Sequence, residues 1–190
     1  MDTSTSHSIK VIKAPNTVLR AKTKPVKKIT PGLLQTTKEM IKLTKTFQDP
    51  EGVGLASTQI GLSERFFVAK IPNNTSTTHL AGEAKRSSST HLRGEKTSEV
   101  KEGEKFIAVF NPQILTFGKR TKTYIEGCLS IPDYYGEVKR HILIKISFQD
   151  EMGQKVTRSL KGIDAWIFQH EIDHLEGMLF PDRVLQQKGK

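Results

Sequence analysis

His170-Glu171-Ile172-Asp173-His174 places two histidines four residues apart, with a glutamate directly after the first. On a helix, positions i and i+4 lie about one turn apart on the same face. Two imidazoles so placed can hold one divalent ion, and Glu171 can take a proton from an attacking water. The pattern is short, and the alternative is a pair of helix histidines that only pack.

A catalytic metal site usually has three protein ligands and one open position. Only 16 residues follow His174, and none is histidine. Glu176 lies too close on the same helix to fold back. The third ligand is therefore expected upstream. Cys128 is the single cysteine of the chain, in Glu126-Gly127-Cys128-Leu129-Ser130. A thiolate suits a Cys/His/His site for zinc or iron. The other reading of Cys128 is a buried, inert thiol. A lone cysteine also rules out an internal disulfide framework.

A third segment, Gly52-Val53-Gly54-Leu55-Ala56-Ser57-Thr58-Gln59, combines two glycines with small residues and a neutral amide. Glycines let a backbone approach a ligand closely. The segment lacks the Gly-Lys-Ser/Thr ending of a phosphate loop, so nucleotide binding is discarded. Read alone it is an ordinary glycine-rich turn.

These segments need elements to position them. Thr30-Pro31 reads as an N-cap followed by proline at the first helical position. Leu33, Leu34, Met40, Ile41, Leu43 and Phe47 continue a helical apolar stripe to about Phe47. Residues 65–71 and 106–110 read as strands, followed by short strands at 113–118, 121–126, 138–148 and 154–160. Ile142, Ile144, Ile146 and Phe148 alternate as a half-buried strand does. The period then changes. Ile163, Trp166, Ile167, His170 and His174 share one helical face, and Gly177 is a natural stop. The expected class is α+β: mostly antiparallel strands packed around a central metal-binding helix, with an N-terminal helix.

Residues 73–104 break the pattern. They hold ten Ser/Thr, five bases and five acids, with almost no large apolar group. Such a segment contributes little core and reads as a flexible insertion into one catalytic domain spanning 1–190.

The chain has 190 residues, which favours one domain. No apolar run approaches the ~18 residues of a membrane span. The opening MDTSTSHSIK has no apolar stretch and is no signal peptide, so a cytoplasmic location is expected. Lys+Arg 30 against Asp+Glu 20 gives a net charge of +10. Bases concentrate between Met1 and Lys45 and again between Arg183 and Lys190. This suits a polyanionic neighbour such as the ribosome, or else is a well-solvated surface. No nucleic-acid-binding signature accompanies the charge, so a nucleic-acid substrate is not expected.

Together the three segments resemble peptide deformylases, whose marks are G-x-G-L-A-A-x-Q, E-G-C-L-S and H-E-x-D-H in that order. This chain has GVGLASTQ at 52–59, EGCLS at 126–130 and QHEIDH at 169–174. Leu19-Arg20, Pro25-Val26, Leu175-Glu176-Gly177, Phe180 and Asp182-Arg183 also look similar. The resemblance covers nearly the whole chain outside 73–104.

It implies hydrolysis of the N-formyl group from the N-terminal methionine of newly made proteins, releasing formate. Cys128, His170 and His174 would bind one divalent metal, ferrous iron in the cell, with zinc, nickel or cobalt also able to occupy the site. Glu171 would be general base and then general acid. The Gln59 side chain and the Leu129 N–H would form the oxyanion hole. Val53, Gly54 and Gly127 would pair their backbones with the substrate. Glu126 and Asp173 would support the ligands. From the helical spacing, Trp166 and Ile167, with Ile163, are candidates for the wall of the substrate pocket, and core packing is the alternative. Tight space around Gly54 and Ser57 is expected to reject acetyl groups. Two departures stand out: Ser57 replaces the usual second alanine, and Tyr135 stands where many relatives have arginine.

Two other readings use the same residues. One is a different H-E-x-x-H hydrolase such as a peptidase, against which the missing downstream ligand argues. The other is a non-catalytic, zinc-stabilised ribosome-binding protein, which would usually need four protein ligands.

Overall fold

The structure is a computed structural model, and it describes residues 9–72 and 104–188. The expected flexible segment at 73–104 lies almost entirely outside the described residues. The strands on either side of it pair directly with each other. Helix α1 spans Pro31–Thr44, with the Thr30 hydroxyl accepting from Leu33 N–H at its start. It ends at Thr44, one turn short of the expected Phe47. Seven strands follow: β1 (Gly54–Ala56), β2 (Phe66–Pro72), β3 (Glu104–Phe117), β4 (Thr121–Cys128), β5 (Ile131–His141), β6 (Leu143–Gln149) and β7 (Lys155–Lys161). Helices α2 (Ile163–Leu175) and α3 (Phe180–Lys188) close the chain.

Strands β1-β2-β3-β6-β7 form one antiparallel sheet in that order, and β4-β5 form a separate hairpin. Strand alternation sends successive side chains to opposite faces. Phe67, Ala69, Val109, Ile144 and Ile146 face α2, where Ala165, Phe168, Ile172 and Leu175 meet them. Phe66, Val68, Ala108 and Phe110 face the other way, toward Met40 of α1. The sheet is thus the middle of three layers, and α2 is buried along most of its length. Truncating a fully buried aromatic such as Phe168 to alanine costs ~3–5 kcal/mol.

The strands expected at 106–110 and 113–118 are one long strand, β3. Its register shifts between Phe110 and Gln113, where Asn111 has φ 50. Asparagine is among the few non-glycine residues that adopt this conformation readily, and here its side chain is held by long-range bonds that join the Val26 N–H and C=O to the Gln149 side chain. The single strand expected at 138–148 is two strands. The chain leaves the hairpin for the large sheet at Ile142, whose N–H donates to Arg120 and whose carbonyl accepts from Gly162. Helix α3 and the short β1 were not expected. Gly177 closes α2 as expected, with φ 74 and its N–H on the His174 carbonyl. A Cβ there would meet the Arg20 carbonyl carbon at 2.8 Å.

Candidate metal centre and active-site cleft

Helix α2 packs against both the large sheet and strand β5 of the hairpin. A cleft opens between them, lined by Val53, Gly54, Gln59, Gly127, Cys128, Leu129, Trp166, Ile167, His170 and Glu171, among others. Its volume is ≈ 340 Å³. Pro50, Tyr135, Ile125 and Ile163 form its outer part. Ile125 is 72% and Ile163 58% exposed, so Ile163 is rim and not core.

At the floor, one ligand atom each from Cys128, His170 and His174 lie within 4.8 Å of one another, the one such cluster among the described residues. Helix spacing delivers the two imidazoles, and the last residue of β4 delivers the sulfur. Cys128 Sγ stands 3.3 Å from His174 Nε2. Ligand bonds of about 2.0–2.3 Å to one ion place donors roughly 3.5 Å apart. The donor set therefore fits a divalent metal.

The surroundings favour each donor in its ligating form. The His170 Nδ1–H donates to Glu126 Oε2 at 2.9 Å, which leaves Nε2 for the cluster. Burial raises the Cys128 thiol, but the His174 and His170 rings outweigh it and hold the thiol well below its usual range. Ser130 N–H and the Gln59 amide also point at the sulfur, at 3.4 and 3.5 Å. Metal binding needs a thiolate and neutral imidazoles, so an arriving cation displaces the protons shared by this cluster.

Glu171 is buried beside the cluster, and its Oε2 has no hydrogen-bond partner among the described residues. Burial pushes its carboxyl up to about 7. A base poised near neutral pH both accepts and returns a proton efficiently.

Gln59 is locked from two sides. Its Oε1 accepts from Ala56 N–H at 2.8 Å, and its Nε2 donates to Ser130 Oγ at 3.0 Å. The amide group is thereby aimed along the cleft floor beside Cys128.

Residues 8–190 match the sequence model of the family described as Polypeptide deformylase. A Thermotoga maritima peptide deformylase is 35% identical over 171 residues, 90% of this chain and 84% of that protein. One from Agrobacterium fabrum is 33% identical, covering 92% of this chain and 85% of that protein. The crystal structure of the Thermotoga maritima enzyme superposes with a TM-score of 0.71 at 34% identity, covering 94% of this chain and 98% of that one. An Acinetobacter baumannii structure with Met-Ala-Ser bound gives 0.71 at 27%, covering 93% and 98%.

The chain belongs to the peptide deformylase family. Deformylases are metal-dependent hydrolases that remove the N-formyl group from N-formyl-methionine, and this chain is one by sequence and by fold. Among the described residues no helix is long and apolar enough to cross a membrane.

In this deformylase the expected residues converge, with two adjustments. The Val53 carbonyl already accepts from Lys70 N–H at 2.8 Å. In an antiparallel pair alternate residues turn their backbone groups outward. Next to Val53, Gly54 therefore presents its N–H and C=O to the open side of β1, and Val53 serves as side-chain lining. Ser57 is fully buried, and its hydroxyl donates to the Glu64 carbonyl at 2.5 Å. It does not line the cleft, and the close approach there is between Gly54 and Glu171.

Sequence reasoning singled out Glu126 and Asp173 but missed the arginines that hold them. Arg140 forks onto Glu126, with Nε to Oε1 at 2.7 Å and Nη2 to Oε2 at 2.9 Å, and its Nη1 reaches Asp173. Arg183 forks onto the same Asp173, at 3.0 and 2.6 Å. A signal existed. Val138 and Arg140 share the inward side of β5, and an arginine on a buried strand face needs carboxylate partners.

Proposed function

We propose that this chain deformylates nascent polypeptides through Cys128, His170 and His174 as ligands of one divalent metal, with Glu171 as general base and then general acid. The observation that carries this reading is a Glu171 carboxylate oxygen without a hydrogen-bond partner among the described residues, buried beside a Cys/His/His cluster at the floor of an open cleft. When bound, the metal supplies positive charge that lowers the pKa of water and polarises a carbonyl. Ferrous iron is the proposed ion in the cell, with zinc, nickel or cobalt able to replace it.

The substrate enters extended between β1 and the hairpin, pairing with Gly54 on one wall and Gly127 on the other. Its methionine side chain lies against Trp166 and Ile167. The formyl oxygen faces the Gln59 amide and the Leu129 N–H. Glu171 accepts a proton from water as the water oxygen bonds to the formyl carbon. The negative oxygen that develops is held by Gln59 and Leu129, an arrangement worth roughly 10²–10³ in rate per donor. Glu171 then gives its proton to the amine nitrogen, the C–N bond breaks, and formate leaves the free methionine N-terminus.

Residues 1–190 form one catalytic domain with 73–104 as an insertion. The Pro72↔Glu104 pairing supports this, since β2 and β3 already make a continuous antiparallel pair without it. The protein works in the cytoplasm, and its basic N-terminal region and tail suit contact with the ribosome surface. Salt-sensitive co-sedimentation with ribosomes is expected, and no co-sedimentation at low salt would refute that contact.

The test of the catalytic reading is formate release by metal-reconstituted protein. Formyl-Met-Ala-Ser should be cleaved far faster than its acetyl counterpart. Comparable rates on both would overturn the proposed fit beside Gly54.

A further inference from the structure

We propose that Trp166 is a positioning residue for the metal ligand His170, acting through Glu126, in addition to forming part of the cleft wall. The inference rests on the reading of Cys128, His170 and His174 as the metal ligands.

Glu126 is fully buried and is held by four hydrogen bonds. Oε2 receives the His170 Nδ1–H at 2.9 Å and Arg140 Nη2 at 2.9 Å. Oε1 receives Arg140 Nε at 2.7 Å and the Trp166 indole N–H at 2.8 Å. These four donors fill the acceptor sites of an ionised carboxylate. Three come from side chains with other evident duties in the fold or the metal site. The fourth, the indole, is the one a phenylalanine of similar shape would omit.

The indole is not placed there by the cleft alone. Trp166 sits one helical turn before His170, so both rings leave the same face of α2. Tyr124, two residues before Glu126 on β4, stacks on the indole with centroids 5.4 Å apart and planes 9° from parallel. On the outer side Lys122 lies 5.4 Å from the centroid of the Tyr124 ring. The stack fixes the plane of the indole, and the fixed plane aims its N–H at Oε1. Strand β4 therefore holds both the carboxylate and the ring that orients the indole donor. Partners that orient a ligating histidine tune metal affinity, and their loss typically costs ~10–100-fold. Because the same indole faces the cleft, the wall touched by the substrate and the support of His170 are one side chain.

Trp166→Phe keeps the ring against Tyr124 and removes only the N–H. Tyr124→Leu keeps the N–H and removes the stack. Both are loaded with Co²⁺ as the full chain and compared with the unsubstituted protein by visible absorption and by the rate of cobalt loss to excess chelator. The expected result is cobalt loss about tenfold faster in Trp166→Phe and smaller but in the same direction in Tyr124→Leu, with a shifted cobalt spectrum in both. Unfolding midpoints of the metal-free proteins should stay together, which separates positioning from general destabilisation. Unchanged cobalt loss and spectrum, with only KM altered, would reduce Trp166 to a wall of the cleft and overturn the inference. An unsubstituted protein that takes up no cobalt would overturn the metal reading itself, and this inference with it.

Discussion

Gly54 lies against the carboxylate of Glu171: a Cβ at residue 54 would stand 2.8 Å from Glu171 Cδ and closer still to Oε1. Glycine is required here for room, not for an unusual φ. Gly54→Ala should push the carboxylate off its station and lower kcat by roughly 10²-fold, the usual worth of a positioned acid–base group. Cobalt uptake should be unchanged, because the ligands are untouched. Steady-state kinetics with metal analysis separates the two effects, and a near-normal kcat would show that Glu171 works from another position.

The lock on Gln59 predicts non-additive losses. Gln59→Ala should cost roughly 10²–10³ in kcat. Ser130→Ala leaves the Ala56 bond intact and frees only one side of the amide, so a loss of about tenfold is expected. The double variant should be no slower than Gln59→Ala alone, since groups acting through one another do not add. Additive losses in a double-mutant cycle would place Ser130 in a separate role.

Acid stability should report the Glu126 network. Burial raises the Glu126 carboxyl, but bonds from Arg140 and His170 outweigh it and bring the group from 4.5 to about 2. A group depressed in the folded state stabilises it above its unfolded value, and that contribution disappears as pH falls from about 4.5 toward 2. The shift corresponds to about 3 kcal/mol in order of magnitude. Denaturant unfolding of the metal-free protein should therefore weaken steeply across that window. Glu126→Gln should be less stable at pH 7 and show a flatter slope below pH 4.5. An equal slope in both proteins would assign acid unfolding to other carboxylates.

Tyr135 and Asp49 tie the two rims of the cleft. The Tyr135 hydroxyl donates to Asp49 Oδ1 at 2.5 Å, and this bond raises the phenol above its ordinary pKa. The ring lies over Gly127, where a Cβ would meet its Cε1 at 2.7 Å. Tyr135→Phe should raise KM several-fold for formylated tripeptides, in line with the loss of one hydrogen bond, while kcat changes little. An unchanged KM would remove the rim bond from substrate binding.

The chemistry was more legible in the sequence than the frame that holds it. H-E-x-x-H on a helical period fixes its own geometry, because i and i+4 share a face wherever the helix lies. Cys128 was found by elimination, as the single cysteine upstream of a site short of a ligand. The reach of β3 was not legible, because the shift at Asn111 looks like a strand end in a one-dimensional pattern. The break at Ile142 was hidden because its neighbours keep alternating while the chain changes sheets. The backbone duties of Val53 and Gly54 depend on which alternate residues face β2, and that register is set by long-range pairing. Arg140 was overlooked although its inward position on β5 could be read from Val138.

The most direct test measures formate released from formyl-Met-Ala-Ser by protein purified without oxygen and reconstituted with ferrous iron or nickel, beside Glu171→Gln loaded to the same metal content. The account predicts metal-dependent release by the unsubstituted protein and a collapse of kcat in Glu171→Gln with the metal still bound. Comparable release by Glu171→Gln at equal metal loading would contradict the assignment of Glu171 as the base, and no release by fully loaded protein would contradict the catalytic reading of this cleft.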